Sequence, residues 1–282
     1  AEWDMSGANP RYARMTSTPT PDGRVREDVA SAQKSVVSIL CGIAEEKKLL
    51  DLQAPVSKYL GPGWSKAKAD QEAAITVHHL LSMSSGLNPR LRFEEPAGTK
   101  WQYNTNAYAK LTKVLQVVSK QSINDVTKNW LTGPIGMADT QWEPRPWVSA
   151  ALDANAEGLV TSARDLGRFG LLLLAKGKWG DTIVVNENYV DRATNPSQTL
   201  NNAYGLLFWL NGHGAYIRGE ERGTGSMNPG APEDMFMAAG ALTRRVYVVP
   251  SAGVVVVRMG DQPEDAGFDL QFWRRLSKAK SF

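Results

Sequence analysis

The chain has 282 residues, of which 42% are hydrophobic and 22% charged, a composition that excludes a disordered or low-complexity protein. The 32 Lys and Arg residues nearly balance the 29 Asp and Glu residues, and the net charge of +3 comes without the basic stripe that a nucleic acid partner requires. The single cysteine excludes an internal disulfide, and the lack of CxxC and HExxH motifs excludes the common zinc sites. The lack of a long apolar run excludes a membrane span.

The predicted elements begin with a short strand at residues 1–3, followed by a long loop rich in Pro, Thr, Arg and Asp. Residues 31–47 are apolar on nearly every side before a charged end, which predicts a buried helix. From about residue 50 to 200, helical patterns alternate with Gly and Pro, and strand signals are few. We therefore expect this middle region to be mainly helical.

Strand patterns dominate after residue 203. The β-branched runs RRVYVVP and GVVVVRMG, separated by Ser251 and Ala252, predict a hairpin. Four consecutive valines are too apolar for a sheet with one face in water, so a helix is expected to cover them, with the C-terminal segment DLQFWRRLSK as the candidate. The predicted fold class is α/β (α+β), an antiparallel sheet flanked by terminal helices with an inserted helical region. We expect a sheet domain of residues 1–50 and 203–282 and a helical domain of residues 51–202.

A serine followed three residues later by a lysine is the first candidate for chemistry, and the pattern occurs at Ser31/Lys34, Ser65/Lys68 and Ser277/Lys280. Chance alone gives about one such match in a chain of this length. The second and third pairs lie in polar segments and are interpreted as solvated surface, whereas the first opens the buried helix.

Ser31 would stand at a helix start, where unpaired backbone amides and the positive end of the helix dipole stabilise a developing anion. Lys34 projects from the same side, and burial favours its uncharged form, so it could act as the base for a hydroxyl nucleophile. The alternative is that Ser31 is only a helix cap. The local sequence supports the two interpretations equally.

Several longer segments resemble the penicillin-recognising serine hydrolases, which include serine β-lactamases, D,D-peptidases, D-aminopeptidases and β-lactamase-like esterases. The segments are SAQKSVVSILCGIAEEKKLLDLQAPVSKYL, ITVHHLLSMSSGL, PAGTKWQYNTNAY, EGLVTSARDLGRFGLLLL and FMAAGALTRRVYVVPSAGVVVV. They follow the family's order over about residues 25–262. The resemblance favours Ser31 as the nucleophile and Lys34 as its base.

The resemblance also matches Tyr103 to the tyrosine of the family's YxN motif, which relays a proton among nucleophile, lysine and leaving group. We expect the neighbouring ammonium to lower the pKa of this phenol. The third residue of the motif is Thr105 rather than Asn, with Asn104 and Asn106 on either side. Thr105 and Asn106 are candidate substrate-binding residues, and the missing amide makes β-lactam or peptide substrates less favoured.

The family's third motif, KTG or HxG, aligns with Ala238, Ala239 and Gly240, so the cation that helps to hold a substrate carboxylate is missing. Gly240 is a candidate substrate-binding residue, and the amides of Ser31 and Ala241 are expected to form the oxyanion hole. Arg244 or Arg245 could supply a charge nearby, but strand alternation lets only one of them point inward.

The sequence thus predicts a serine hydrolase that cleaves small carboxylic esters through an acyl-enzyme, with no metal and no organic cofactor. The alternatives are an amide or D-amino-acid peptide hydrolase, a weak β-lactamase, and a non-catalytic binding protein that keeps the fold. The expected partner is a small ester or amide substrate, and the oligomeric state stays open. The N-terminal Ala suggests a processed or trimmed chain, and a periplasmic or secreted location is slightly favoured over a cytoplasmic one.

Overall fold

The computed structural model describes residues 9–148, 155–265 and 267–279, so the strand expected at residues 1–3 lies outside the described residues. The helices are α1 (Pro10–Arg14), α2 (Gln33–Glu46), α3 (Ser57–Leu60), α4 (Ala69–Ala73), α5 (Val77–Leu81), α6 (Thr105–Tyr108), α7 (Lys110–Ser119), α8 (Ile123–Thr127), α9 (Ala163–Leu174), α10 (Glu187–Ala193) and α11 (Phe268–Ala279). The strands are β1 (Thr16–Ser17), β2 (Arg26–Asp28), β3 (Gln141–Pro144), β4 (Glu157–Thr161), β5 (Lys178–Trp179), β6 (Thr182–Ile183), β7 (Trp209–Leu210), β8 (Ala215–Arg218), β9 (Glu221–Thr224), β10 (Phe236–Gly240), β11 (Arg244–Val249) and β12 (Val254–Arg258).

The main sheet is antiparallel, with the strand order β12-β11-β10-β7. The predicted hairpin is β11 and β12, in which Tyr247 faces Val256, and a short 3-10 turn at Pro250–Ala252 joins the two strands. Gly253 ends this turn at a φ of 59°, a left-handed conformation that glycine adopts without strain. The expected fold class, helices around an antiparallel sheet, is confirmed.

Helices cover both faces of the β11–β12 hairpin. On one face α9 packs so closely that a Cβ atom added to Gly170 would lie 2.4 Å from a methyl group of Val255. On the other face α11 places the ring of Trp273 5.2 Å from that of Tyr247, and Arg258 lies over the ring of Phe268. The expected cover by the C-terminal helix is therefore present, and α9 provides a second cover that the sequence did not predict.

A second antiparallel sheet, with the order β1-β2-β4-β3, takes β3 and β4 from the region of residues 50–200, which is otherwise mainly helical as expected. Strand β4 is buried between β2 and β3, and the small hairpin β5–β6 follows α9. Because these strands are short, tertiary pairing rather than local periodicity stabilises them. The sheet joins strands from both sides of the predicted domain boundary, which stays a prediction.

The buried helix expected at residues 31–47 begins as a 3-10 turn at Ala30–Ala32 and continues as α2 to Glu46. Residues 33–44 are all buried, because α7 and α10 flank α2 and the end of β10 packs against the turn. Across residues 9–148, 155–265 and 267–279, no helix combines the length and the apolar character that crossing a bilayer requires.

Candidate active site

The turn that carries Ser31 is held by a carboxylate from the end of β2. Asp28 accepts a hydrogen bond from the Ala30 amide over 2.8 Å, and the Val29 amide donates to the Leu159 carbonyl of β4. Ala30 has a φ of 50°, an unfavourable conformation for a residue with a Cβ atom. The hydrogen bond from its amide to Asp28 stabilises this conformation, which presents Ser31 at the start of the helix.

Lys34 lies one helical turn after Ser31, and its Nζ atom donates to the Ser31 Oγ atom over 3.0 Å. Its side chain is buried, with 2% exposure, and forms no ion pair within the described residues. Burial, together with the positive charge of Arg145, lowers the pKa of Lys34 to about 7. A lysine in this environment can lose its proton near neutral pH.

Tyr103 precedes α6 and is partly buried, with its side chain packed against the core. Burial raises the pKa of Tyr103 to about 12, and a hydrogen bond with Ser31 opposes that rise. The expectation of a lowered phenol pKa is therefore wrong, because loss of solvent disfavours the phenolate more than the neighbouring groups stabilise it. The Tyr103 ring stacks on Trp209 at a centroid distance of 6.0 Å, and the Lys34 Nζ atom lies 5.1 Å from its centroid.

The three residues after Tyr103 form the start of α6, and two of them donate to the loop that contains Leu87 and Pro89. Asn104 caps α6 and donates to the Leu87 carbonyl, so its side chain is structural. The Nδ2 atom of Asn106 donates to the Pro89 carbonyl over 2.6 Å. Thr105 begins α6, two residues after Tyr103. Substrate binding by Thr105 and Asn106 stays a prediction, and Asn106 would have to release Pro89 to use its amide donor.

The end of β10 lies against the Ser31 turn. A Cβ atom on Gly240 would stand 2.2 Å from the Val29 carbonyl oxygen, so only glycine fits this approach. Ala241, the next residue, and Ser31 line the same cavity. This placement is consistent with the predicted pairing of the Ser31 and Ala241 amides, which stays a prediction.

Both arginines that follow this strand end bind carboxylates elsewhere. Arg244 is fully buried and pairs with Glu27, with 2.8 Å between Nη2 and Oε2. Arg245 pairs with Asp269 of α11 at 3.3 Å. Strand alternation was expected to turn one of them inward, and Arg244 is that residue, but neither lines the cavity at Ser31.

Sequence reasoning missed a buried polar network next to the Ser31 turn. Arg145, just after β3, donates to Asp28 over 2.7 Å and to the side-chain oxygen of Gln33 over 2.8 Å. Gln33 in turn donates to the Tyr108 hydroxyl over 3.3 Å. Asp28 shortly before a predicted helix was a local sign of a turn, whereas nothing in the sequence links Arg145 to residues more than 100 positions earlier.

The two other serine–lysine pairs have structural surroundings. The Ser65 hydroxyl donates to Glu72 over 2.6 Å, and the Ser277 hydroxyl donates to the Gly230 carbonyl over 2.8 Å. Lys280 lies outside the described residues. Context, rather than the motif itself, separates Ser31 from these two serines.

Comparisons with known proteins find similar sequences and similar folds. An uncharacterised protein of Alkalihalophilus pseudofirmus is 22% identical over 252 residues, which cover 82% of this chain and 72% of that protein. Among solved structures, EstCE1, a hydrolase with promiscuous acyltransferase activity, has a TM-score of 0.66 and 17% identity, covering 89% of this chain and 84% of its own.

A D-stereospecific amidohydrolase from Streptomyces sp. has a TM-score of 0.55 and 15% identity, covering 80% of this chain and 75% of its own. At these identities both structural likenesses show the fold alone. The family model described as Beta-lactamase matches residues 9–279, nearly the whole chain. The fold, the order of the motifs and this match together show that the chain belongs to the β-lactamase family of hydrolases.

Proposed function

We propose that this protein hydrolyses small carboxylic esters through an acyl-enzyme on Ser31. The observation that carries the proposal is the 3.0 Å contact between the Lys34 Nζ and Ser31 Oγ atoms in a buried site. Because the pKa of Lys34 is about 7, its uncharged amine is populated at neutral pH and can accept the proton of a hydroxyl nucleophile.

In the acylation step, uncharged Lys34 takes the Ser31 proton while the Ser31 Oγ atom forms a bond to the ester carbonyl carbon. The carbonyl oxygen becomes an oxyanion, which the backbone amides of Ser31 and Ala241 would stabilise. The bond to the leaving alkoxide then breaks, and the alkoxide receives the proton that Lys34 took, passed through the Tyr103 hydroxyl. Because the pKa of Tyr103 is raised to about 12, its hydroxyl stays protonated and can donate throughout the neutral range.

Deacylation reverses these roles with water as the nucleophile. Lys34 accepts a proton from water, directly or through the Tyr103 hydroxyl, the water oxygen attacks the acyl carbon, and the Ser31 oxygen leaves with a proton returned by the same pair. The products are a carboxylic acid and free enzyme. Each proton transfer runs between groups placed at Ser31, so no further reactant is needed.

Two departures from the family's motifs favour esters over β-lactams. Thr105 stands where an amide side chain would bind a substrate amide, and Ala238 stands where a cation would bind the carboxylate of a penicillin. The second candidate is an amide or D-amino-acid peptide hydrolase, supported by the fold shared with the Streptomyces amidohydrolase. A weak β-lactamase and a non-catalytic binding protein are the remaining alternatives.

The decisive experiment compares the native chain with Ser31→Ala on p-nitrophenyl acetate, p-nitrophenyl butyrate, the matching p-nitroanilides and a chromogenic cephalosporin. Intact mass after treatment with a fluorophosphonate reports covalent labelling of the nucleophile. Ser277→Ala is the matched control, because it removes a serine with the same Ser-x-x-Lys spacing whose hydroxyl bonds only to backbone carbonyls.

We expect ester turnover and labelling in the native chain and in Ser277→Ala, and loss of both in Ser31→Ala. Faster anilide than ester turnover would favour the amide hydrolase, and dominant cephalosporin turnover would favour the β-lactamase. A folded native chain that neither hydrolyses nor becomes labelled would overturn the assignment and favour the binding protein.

A further inference from the structure

A cavity of about 390 Å³ opens beside the nucleophile. Ser31 and Ala241 line one part of it, so a substrate whose carbonyl reaches the proposed oxyanion hole can extend its remaining atoms into this space. The volume lies in the range of small-molecule sites. The composition of the wall therefore bears on which substrates fit.

Positive charges outnumber negative ones in this wall. Arg11, Arg14 and Arg145 line it, and Asp28 is the one carboxylate among its lining residues. Arg145 and Asp28 bind each other through two hydrogen bonds and are both buried, so their charges are mutually satisfied. The excess positive charge therefore comes from the two arginines of α1.

Arg11 and Arg14 are exposed, and a spacing of three residues puts them on one side of α1. Arg14 donates through Nε to the Pro10 carbonyl over 3.3 Å, and in the part of the chain that the structure describes neither guanidinium pairs with a carboxylate. Each planar guanidinium can donate two parallel hydrogen bonds to a carboxylate. Within residues 9–148, 155–265 and 267–279, the two side chains thus form a cationic wall of the cavity without a carboxylate counter-charge.

The rest of the wall is partly apolar. Met15, Trp147 and Val148 line it, and Trp147 is 42% exposed, which leaves an indole face available to a ligand. A molecule that suits the whole cavity has an ester near Ser31, a short hydrocarbon spacer and an anion at the α1 side. A fully neutral ester would leave the cationic wall unused.

We propose that the preferred substrates are small esters that carry a carboxylate, which Arg11 and Arg14 bind. This inference rests on the proposed esterase function and narrows its substrate class. The strand position that holds a substrate carboxylate in related enzymes is Ala238 here, and the cations come instead from a different element, the N-terminal helix α1.

The test compares mono-p-nitrophenyl glutarate with its uncharged methyl ester, which differ in one charge and share the same reacting bond. A second pair, 3-acetoxybenzoate and methyl 3-acetoxybenzoate, places the carboxylate on the leaving group instead. Values of kcat/KM are measured at about 0.02 M and about 0.5 M NaCl, since salt screens exposed charges. The variants are R11Q/R14Q and, as a control with the same loss of charge on α11, R274Q/R275Q.

We expect the native chain to prefer the charged member of at least one pair by about tenfold, and salt to reduce this preference. The ratio should fall to near one in R11Q/R14Q and persist in R274Q/R275Q. Equal rates for both members of both pairs, or a preference that survives R11Q/R14Q, would overturn the inference.

If no ester is hydrolysed and Ser31 takes up no fluorophosphonate, the proposed function fails, and the arginine site is then tested by binding alone. Calorimetric titration of the full chain with monomethyl glutarate should show binding that R11Q/R14Q weakens about tenfold and R274Q/R275Q leaves intact. Equal binding by all three proteins, or none by the native chain, would show that these arginines do not form a carboxylate site.

Discussion

Two buried basic residues near the Ser31 turn have contrasting environments. Lys34 is 2% exposed and has the Ser31 hydroxyl and two aromatic rings as neighbours, whereas Arg145 is 6% exposed and binds Asp28 through two hydrogen bonds. Burial without a carboxylate lowers the pKa of Lys34 to about 7. A buried cation with a carboxylate partner is structural, and one without such a partner is available for proton transfer.

The largest effect in this comparison should come from Lys34→Met, which keeps the length of the side chain and removes its charge. We expect kcat/KM for p-nitrophenyl butyrate to fall at least about a thousandfold, because the base is lost. The free energy of unfolding should nevertheless rise by about 1–3 kcal/mol at pH 7, because a buried amine no longer has to be accommodated. Urea unfolding and steady-state kinetics measure the two effects.

The stability gain should itself depend on pH. The folded-state pKa of Lys34 is lowered to about 7 from 10.5, so between these values the unfolded chain binds more protons and stability rises with pH. The native chain should therefore approach the stability of Lys34→Met as the pH rises toward 10.5. Destabilisation of Lys34→Met at pH 7 would contradict the claim that the buried amine of Lys34 lowers the stability of the native chain.

Removal of the carboxylate from the other cation should have the opposite effect on stability. Asp28→Asn leaves the Arg145 guanidinium buried without a counter-charge, and we expect the free energy of unfolding to fall by about 3–5 kcal/mol. The double variant Asp28→Asn/Arg145→Gln should recover part of that loss in the same urea titration. A loss below about 1 kcal/mol for the single variant would mean that the pair does not hold the turn.

Tyr103→Phe separates proton transfer from packing at the same site. We expect kcat to fall about a hundredfold, since the hydroxyl beside Ser31 is lost, while thermal unfolding changes little because the stacking on Trp209 remains. Tyr216→Phe, which removes a hydroxyl bonded to Glu221 on an exposed hairpin, is the control. Equal activities of Tyr103→Phe and the native chain would remove Tyr103 from the mechanism.

The activity of the native chain should also depend on pH. For p-nitrophenyl butyrate, which does not ionise, kcat/KM should rise about tenfold per unit up to a pH of about 7 and then level off, because Lys34 must be uncharged to accept a proton. Tyr103 should add no second transition in the neutral range, since its pKa is about 12. A flat profile between about pH 5 and pH 8 would contradict the role of Lys34 as base.

The sequence predicted those helices and strands whose apolar or β-branched character shows in consecutive residues. Helix α2 is buried over residues 33–44 and has a largely apolar sequence, and the β11–β12 hairpin is marked by β-branched residues. Strands β3 and β4 were missed because each is short and depends on pairing with distant residues. Likewise, Ser31 and Lys34 are neighbours in the sequence, whereas the Asp28–Arg145 pair forms only after the chain folds.

Gly240 has a consequence for engineering this protein. Its close approach to the Val29 carbonyl brings the strand end against the Ser31 turn and leaves no room for a side chain of any size. Libraries that aim to change substrate range should therefore leave residues 240 and 241 untouched and diversify the walls contributed by α1 and by Trp147. These residues lie outside the contact between Gly240 and Val29, so new side chains there can reshape the cavity while that contact is kept.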